Sequence, residues 1–283
     1  MTSSITGLDR VSVAVTNLEA ARKSFETLGF SLAARSRHVG RGTGNYRILM
    51  PGVAGDGCYI ELLAQIDAHE EDALLATRLA NQGEGLVSLG LKTKDAEAAQ
   101  RDLPDAGDVV SAYGSVERDG TTQMANFTLL DLLAAKGPRP AMAAVEHSTH
   151  DLIFQPRWMT HANGVVAVRE VHVRSDSVRD DALATEGFTT SAQNEAEDRK
   201  VDNLMDGQRV ARLTFLSDKA WEALYGKDDP STAGLVLECE NAIETKALLT
   251  EAGLVPEFVN STLNGYRIPV SKTHGIWLTF VSV

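Results

Sequence analysis

The sequence predicts an α+β fold of four tandem βαβββ units, on three observations. A strand-like apolar run is followed at once by a helix that opens on Asn or Asp; a glycine stands where that helix should end; and this signature returns until it accounts for nearly all of the 283 residues. A repeat of this kind marks one supersecondary unit used several times, because a single unit cannot bury its own apolar face.

In the first unit, Leu8 to Val15 alternates as a half-buried strand with Arg10, Ser12 and Ala14 on one face. Asn17 caps a helix from Leu18 to Leu28, in which Leu18, Ala21, Phe25 and Leu28 recur at helical spacing, and Gly29 stops it. A Gly-rich segment, His38 to Asn45, leads into a strand from Tyr46 to Met50, a turn around Pro51 to Gly57, and a strand ending at Ala64. The second unit has a strand from Leu86 to Leu91, a helix capped by Asp95 and running through Leu103, then Gly107 and strands near Asp108–Tyr113, Gln123–Leu129 and Met142–His147. In the third, Val168 to Val173 is the strand, Asp176 starts the helix, and Gly187-Phe188 repeats Gly29-Phe30. The fourth has Gly234 to Cys239, a helix from Ala242 to Ala252, Gly253, and strands near Tyr266 and Ile276–Val281.

Composition narrows the class of function. Apolar residues make up 43% and charged residues 23%, an ordinary globular balance, and the length allows two domains. The net charge of −12, with no clustered Lys and Arg, argues against nucleic acid and against an anionic membrane surface as partners. No apolar run reaches the ~18 residues a membrane span needs, and the N-terminus lacks a basic and apolar leader, so the expected location is cytoplasmic. Cys58 and Cys239 sit in apolar runs and read as core thiols. Trp158 and Trp277 read as core or interface, and the acidic runs Glu70-Glu71-Asp72 and Glu195–Asp198 as solvated faces or loops.

Glu61 is the residue that asks for chemistry. It is the one acid in the apolar run Gly57-Cys58-Tyr59-Ile60-Glu61-Leu62-Leu63-Ala64. A carboxylate buried there must face a cation or metal, or keep its proton; on a strand edge it would face water. His147 and His150, with His161 beyond, suggest a metal cluster at first sight, but at a strand end side chains at this spacing diverge. His147 alone could serve as an acid–base group, since an imidazole can both give and take a proton. The Gly40-Arg41-Gly42-Thr43-Gly44-Asn45 segment leads into a strand, whereas a dinucleotide-binding glycine motif must open a helix. It reads as a tight connection, or as a backbone cradle for an anion.

Several motifs together resemble the vicinal oxygen chelate superfamily, and most closely its glyoxalase-like-domain family. They are Leu8-Asp9-Arg10 with Leu28-Gly29-Phe30, Gly42-Thr43-Gly44-Asn45 after His38, Tyr59-Ile60-Glu61-Leu62, Glu146-His147-Ser148-Thr149, and His161-Ala162-Asn163-Gly164. The resemblance implies that pairs of units form two half-open mixed β-sheet barrels with helices packed outside, each around a cleft. The interruption at Pro156 to His161 then divides the chain into an N-terminal pair, residues 1–157, and a C-terminal pair, 158–283. It also implies a site of four side chains, one from the first and one from the last strand of each unit, commonly His and Glu around a divalent ion such as Mn, Fe, Ni or Zn.

Counting seven residues back from each helix cap puts Arg10 and Ser88 at the first-strand positions of the N-terminal pair, with Glu61 and either Glu146 or His147 on the last strands. Arg10 cannot bind a cation. An Arg10–Glu61 ion pair is therefore expected to stand in for the metal, with a metal on Glu61, Glu146 and His147 as the alternative and a substrate anion on Arg10 as a third. The matching family segment lies at the cleft mouth, which makes His38, Thr43 and Asn45 expected substrate contacts. In the C-terminal pair the same count gives Arg169, Gly234 and Thr279, none a good ligand, with His172 on the opposite face; that half is expected to be structural or a dimer surface. The function so implied is an enzyme of lyase, isomerase or dioxygenase type acting on a small oxygenated metabolite, with Glu61 as base or ligand, His147 as acid–base partner and Arg10 as anchor or counter-charge. The competing function is a metal-free binding protein in the manner of the bleomycin-resistance members.

Overall fold

The computed structural model describes residues 4–52, 56–103, 105–132, 140–185, 190–191, 198–203, 211–227, 229–259 and 263–283. Gly187-Phe188 and the first residues of the Glu195–Asp198 run lie outside them.

Each unit has the expected order. The first comprises β1 (Ile5–Ala14), α1 (Leu18–Thr27), β2 (Ser36–Arg37), β3 (Thr43–Met50) and β4 (Cys58–Gln65). A linking helix, α2 (Ala73–Gln82), precedes the second unit: β5 (Gly85–Thr93), α3 (Ala96–Asp102), β6 (Val109–Arg118), β7 (Thr121–Asp131) and β8 (Ala141–His147). After α4 (His150–Ile153) and a short 3-10 turn come β9 (Val165–Arg174), α5 (Val178–Thr185), β10 (Thr190–Ser191), β11 (Arg199–Asn203) and β12 (Arg212–Leu216). A second linking helix, α6 (Asp218–Tyr225), leads to β13 (Ala233–Cys239), α7 (Ala242–Glu251), β14 (Glu257–Val259), β15 (Gly265–Ile268) and β16 (Trp277–Ser282).

The caps act as their residue types require. Asn17 accepts from Ala20 N, Asp95 from Ala98 N, and Asn241 from Ile243 N and Glu244 N. Asp72, at the end of an acidic run expected to be solvated, caps α2 through Leu75 N.

Two eight-stranded sheets result, ordered β2-β3-β4-β1-β5-β8-β7-β6 and β10-β11-β12-β9-β13-β16-β15-β14. In each, the first strands of two units run antiparallel at the centre, and each pairs in parallel with the last strand of its own unit. The N-terminal sheet curls until its edges meet. His38 bridges Gly114, Val39 N donates to Tyr113 O at 3.0 Å, and Arg37 N donates to Ser115 Oγ at 2.9 Å, so the barrel is nearly closed.

The halves share one apolar core, in which Phe25, Leu28 and Phe30 of the first unit meet Leu249 and Phe280 of the last. The two halves are also tied by hydrogen bonds. Asn163 Nδ2 donates to Leu28 O at 2.8 Å, and His161 accepts from Ser31 N and donates to Leu49 O, at 3.0 and 2.9 Å. Two of the family motifs, Leu28-Gly29-Phe30 and His161 to Gly164, are thus two sides of one seam. Gly29 is needed there: its φ is +84°, and a Cβ would meet Leu248 and Asn163 at 2.9 and 3.1 Å.

Candidate functional site

A cavity of about 310 Å³ lies inside the N-terminal barrel. Its floor is polar, from Arg10, His38, Thr43, Asn45, Arg47 and Glu61, and its walls include Tyr59, Leu63, Val87, Phe127 and Leu129. Leu75 of α2 closes part of one end, while Val39, Leu74 and Tyr113 are half exposed at the rim.

Strand register explains why these side chains converge. Arg47 on β3, Glu61 on β4, Ser12 on β1 and Ser88 on β5 are successive partners across the sheet, and so share one face. The next row holds Tyr59, Arg10 and Gly90. Glu61 is buried and fully engaged. Its Oε2 accepts from Ser12 Oγ at 2.6 Å, its Oε1 from Asn45 Nδ2 at 2.6 Å, Arg10 Nε lies 3.6 Å from Oε2, and His38 Nε2 lies 3.4 Å from Oε1. Burial alone would raise its affinity for a proton; the His38 hydrogen bond and charge, Arg10 and Ser12 override that and hold the carboxyl well below the usual range. His38 Nδ1 is 2.9 Å from Thr43 Oγ1, and Asn45 Nδ2 lies 3.0 Å from His38 Nε2.

Arg10 also reaches the wholly buried Asp9, Nη1 to Oδ2 at 3.2 Å. Neighbours on a regular strand point to opposite faces, and these two do not because β1 is bulged between Leu8 and Arg10 against β5. Asp9 Oδ1 is 2.6 Å from His147 Nε2. Burial pushes the Asp9 carboxyl up, and His147, Arg10 and Lys92 together bring it below its ordinary value. The result is a chain of alternating groups, His147, Asp9, Arg10, Glu61 and His38.

The remaining expectations come apart on geometry. The β8 residues in the Glu61 and Tyr59 rows are Ala141 and Ala143, not Glu146 or His147. Glu146 faces the helix layer, where its Oε2 accepts from Ala96 N at 3.0 Å; Ser282 accepts from Ala242 N at 3.0 Å in the matching place of the other half. His147 stands beyond the cavity, packed on Phe127 and Phe154, with its Nδ1 buried and without a partner. His150 opens α4, its ring 5.9 Å from that of His147, and the two do not form a chelate. Glu61, Glu146 and His147 are therefore not brought together, and a guanidinium and a hydroxyl occupy the first-strand positions. That donor set does not fit a divalent ion. Among the described residues no three His, Cys, Asp or Glu side chains converge as a metal site.

In the C-terminal sheet the expected residue was displaced by one. Helix α5 begins at Val178, with Asp181 N donating to Ser177 O, so the count runs from Ser177 and not Asp176. It lands on Glu170, because Arg169 is the bulged residue of β9. Glu170 and His172 share a face, 3.1 Å apart, and Glu170 also receives Thr214, Arg199 and Arg212. A one-residue slip of this kind exchanges the two faces of a strand.

Asp9 and Arg47 were missed. No sequence signal exposes the bulge that turns Asp9. Arg47 was legible, since it stands two residues from Asn45 on a strand and must share its face.

Comparison with known proteins agrees with this architecture. The model of a family described as glyoxalase-like domain matches residues 8–189. The chain belongs to that family. No curated protein matches it. Solved structures share the fold of this glyoxalase-like protein over its whole length. A hypothetical protein from Staphylococcus aureus is 12% identical, with a TM-score of 0.68, covering 98% of this chain and 99% of that one. A fusion protein of a xylose isomerase-like TIM barrel with 4-hydroxyphenylpyruvate dioxygenase is 12% identical, with a TM-score of 0.61, covering 100% of this chain and 50% of that one. A mutant 4-hydroxymandelate synthase from Streptomyces coelicolor is 12% identical, with a TM-score of 0.60, covering 100% and 93%. At such identity the likeness is one of fold, the two-sheet α+β architecture described above. No helix among the described residues is long and apolar enough to cross a membrane.

Proposed function

We propose that this glyoxalase-like protein binds a small oxygenated metabolite inside the N-terminal barrel, over a fixed ionic floor that takes the place of a metal. The observation that carries the reading is the position of Arg10, whose guanidinium reaches Asp9 at 3.2 Å and Glu61 at 3.6 Å. A permanent cation there supplies the countercharge that a metal would otherwise bring to the carboxylates. Native mass spectrometry of protein purified without chelators, followed by analysis of extracted small molecules, tests it. A co-purifying metabolite without bound metal is expected. Stoichiometric metal that is lost in Glu61→Ala would sink the reading.

A second reading, proton transfer of the lyase or isomerase kind, is favoured by His38. Its ring lines the cavity, is fixed by Thr43, and touches Glu61. Glu61 itself, held ionised by Ser12, Asn45, Arg10 and His38, is a weak base, and His147 lies outside the cavity, so His38 is the group best set to move a proton. Deuterium uptake from D2O next to the carbonyl of a bound ligand, lost in His38→Asn, would support catalysis. An undeuterated ligand in the wild-type protein would leave binding as the function.

A further inference from the structure

The cleft holds one buried cation with which no carboxylate of the described residues forms an ion pair. Arg47 lies across from Glu61 on β3 and lines the cavity, yet it is only 4% exposed. Its Nε is buried without a partner, and no carboxylate of the described residues lies within 4.0 Å of the guanidinium. Glu61, the acid opposite it, is already engaged by Ser12, Asn45, Arg10 and His38. Asp9 is held by Arg10 and His147. A guanidinium keeps its charge; the Glu61 charge acts on it only from beyond contact, and a buried charge without a paired counter-ion is costly. A barrel that keeps one beside a cavity has a place for an anion.

We propose that the cleft takes a small organic monocarboxylate, with Arg47 as its counter-ion and Leu63, Val87, Phe127 and Leu129 against its carbon body. This deepens the binding function proposed above and rests on it. The planar fork of a guanidinium matches a carboxylate. One such group balances one negative charge, so a dianionic phosphate would leave surplus charge buried in the barrel. The cavity, about 310 Å³, lies at the small end of ligand sites, and apolar residues form much of its wall.

Benzoate and benzamide share a shape and differ in charge, which makes them suitable probes, with inorganic phosphate as the third. Isothermal titration of the full chain is expected to give benzoate an affinity about tenfold or more above that of benzamide, the scale of a charge-assisted pair. Arg47→Met should remove that difference by weakening benzoate alone, and Arg47→Lys should restore part of it. Near-UV circular dichroism establishes that each variant is folded, and Arg47→Gln replaces the Met variant if that one is not. Equal binding of benzoate and benzamide by the wild-type chain, unchanged benzoate affinity in the Arg47 variants, or a preference for phosphate overturns the carboxylate inference and leaves the cleft as a binding site. Failure of all three probes to bind overturns both.

Discussion

Arg10 Nε lies 3.6 Å from Glu61 Oε2, inside a barrel where Glu61 is 4% exposed. The two residues stand on adjacent parallel strands, one row apart, so the contact is fixed by sheet register and not by a loop. Breaking it from one side leaves a charge largely withdrawn from water. Arg10→Met is therefore expected to lower the free energy of unfolding by about 3–5 kcal/mol, and Glu61→Gln by a similar amount. In a double-mutant cycle by urea denaturation the two losses should be strongly non-additive. A loss below about 1 kcal/mol, the level of exposed ion pairs, would show that the pair is solvated.

Gly90 leaves the room that Arg10 occupies. A Cβ there would stand 2.8 Å from Arg10 Cγ and 3.2 Å from both Arg10 Nη1 and Val145 Cγ2. Arg10 can swing away, but doing so abandons Asp9 and Glu61, and Val145 is fixed in a packed layer. Gly90→Ala should cost about 1–3 kcal/mol in the wild-type chain and clearly less in the Arg10→Met background. Equal costs in both backgrounds would place the strain at Val145 instead.

Glu146 separates a structural role from a chemical one. Its carboxylate receives the backbone N–H of Ala96 at the start of α3, as the Ser282 hydroxyl receives that of Ala242 at the start of α7. Glu146→Ala and Ser282→Ala should each destabilise by about 0.5–2 kcal/mol, the usual cost of losing a helix-end acceptor. Neither should alter ligand binding by titration. A Glu146→Ala protein that folds normally but loses its ligand would return this residue to the site.

These cases show what the sequence carries. Helix caps at Asn17 and Asp95 were legible because a side-chain acceptor before an apolar helix is a local signal, and the repeat multiplied it. Glu61 and Arg10 were placed together because period two and the repeat agree. Asp9, Glu170 and the β8 residues of the two rows, Ala141 and Ala143, were not legible: each depends on a bulge, a cap offset or a register between strands far apart in sequence, and none of these leaves a mark in residue type. The helices α2 and α6 escaped notice because they join units and so lie outside the repeated pattern.

His161 links stability to pH from the seam between the halves. Its Nδ1 accepts from Ser31 N and its Nε2 donates to Leu49 O, so the ring is neutral when the chain is folded. Burial pushes its pKa down from 6.5 to about 4, against a smaller opposing effect of the Leu49 carbonyl. Between those values the unfolded chain binds a proton that the folded chain does not. The stabilising contribution is therefore complete above pH 6.5, and falls as pH drops toward about 4. Glu170, lowered from 4.5 to about 2 by His172, Thr214 and Arg212 against its burial, adds its own loss only below pH 4.5. Urea unfolding of the wild-type chain should accordingly show stability declining from pH 6.5, by up to about 3 kcal/mol from His161, with a steeper fall at lower pH. His161→Gln should remove the upper part of the decline and keep the lower one. An unchanged slope between pH 6.5 and 4.5 in that variant would mean that His161 does not set it.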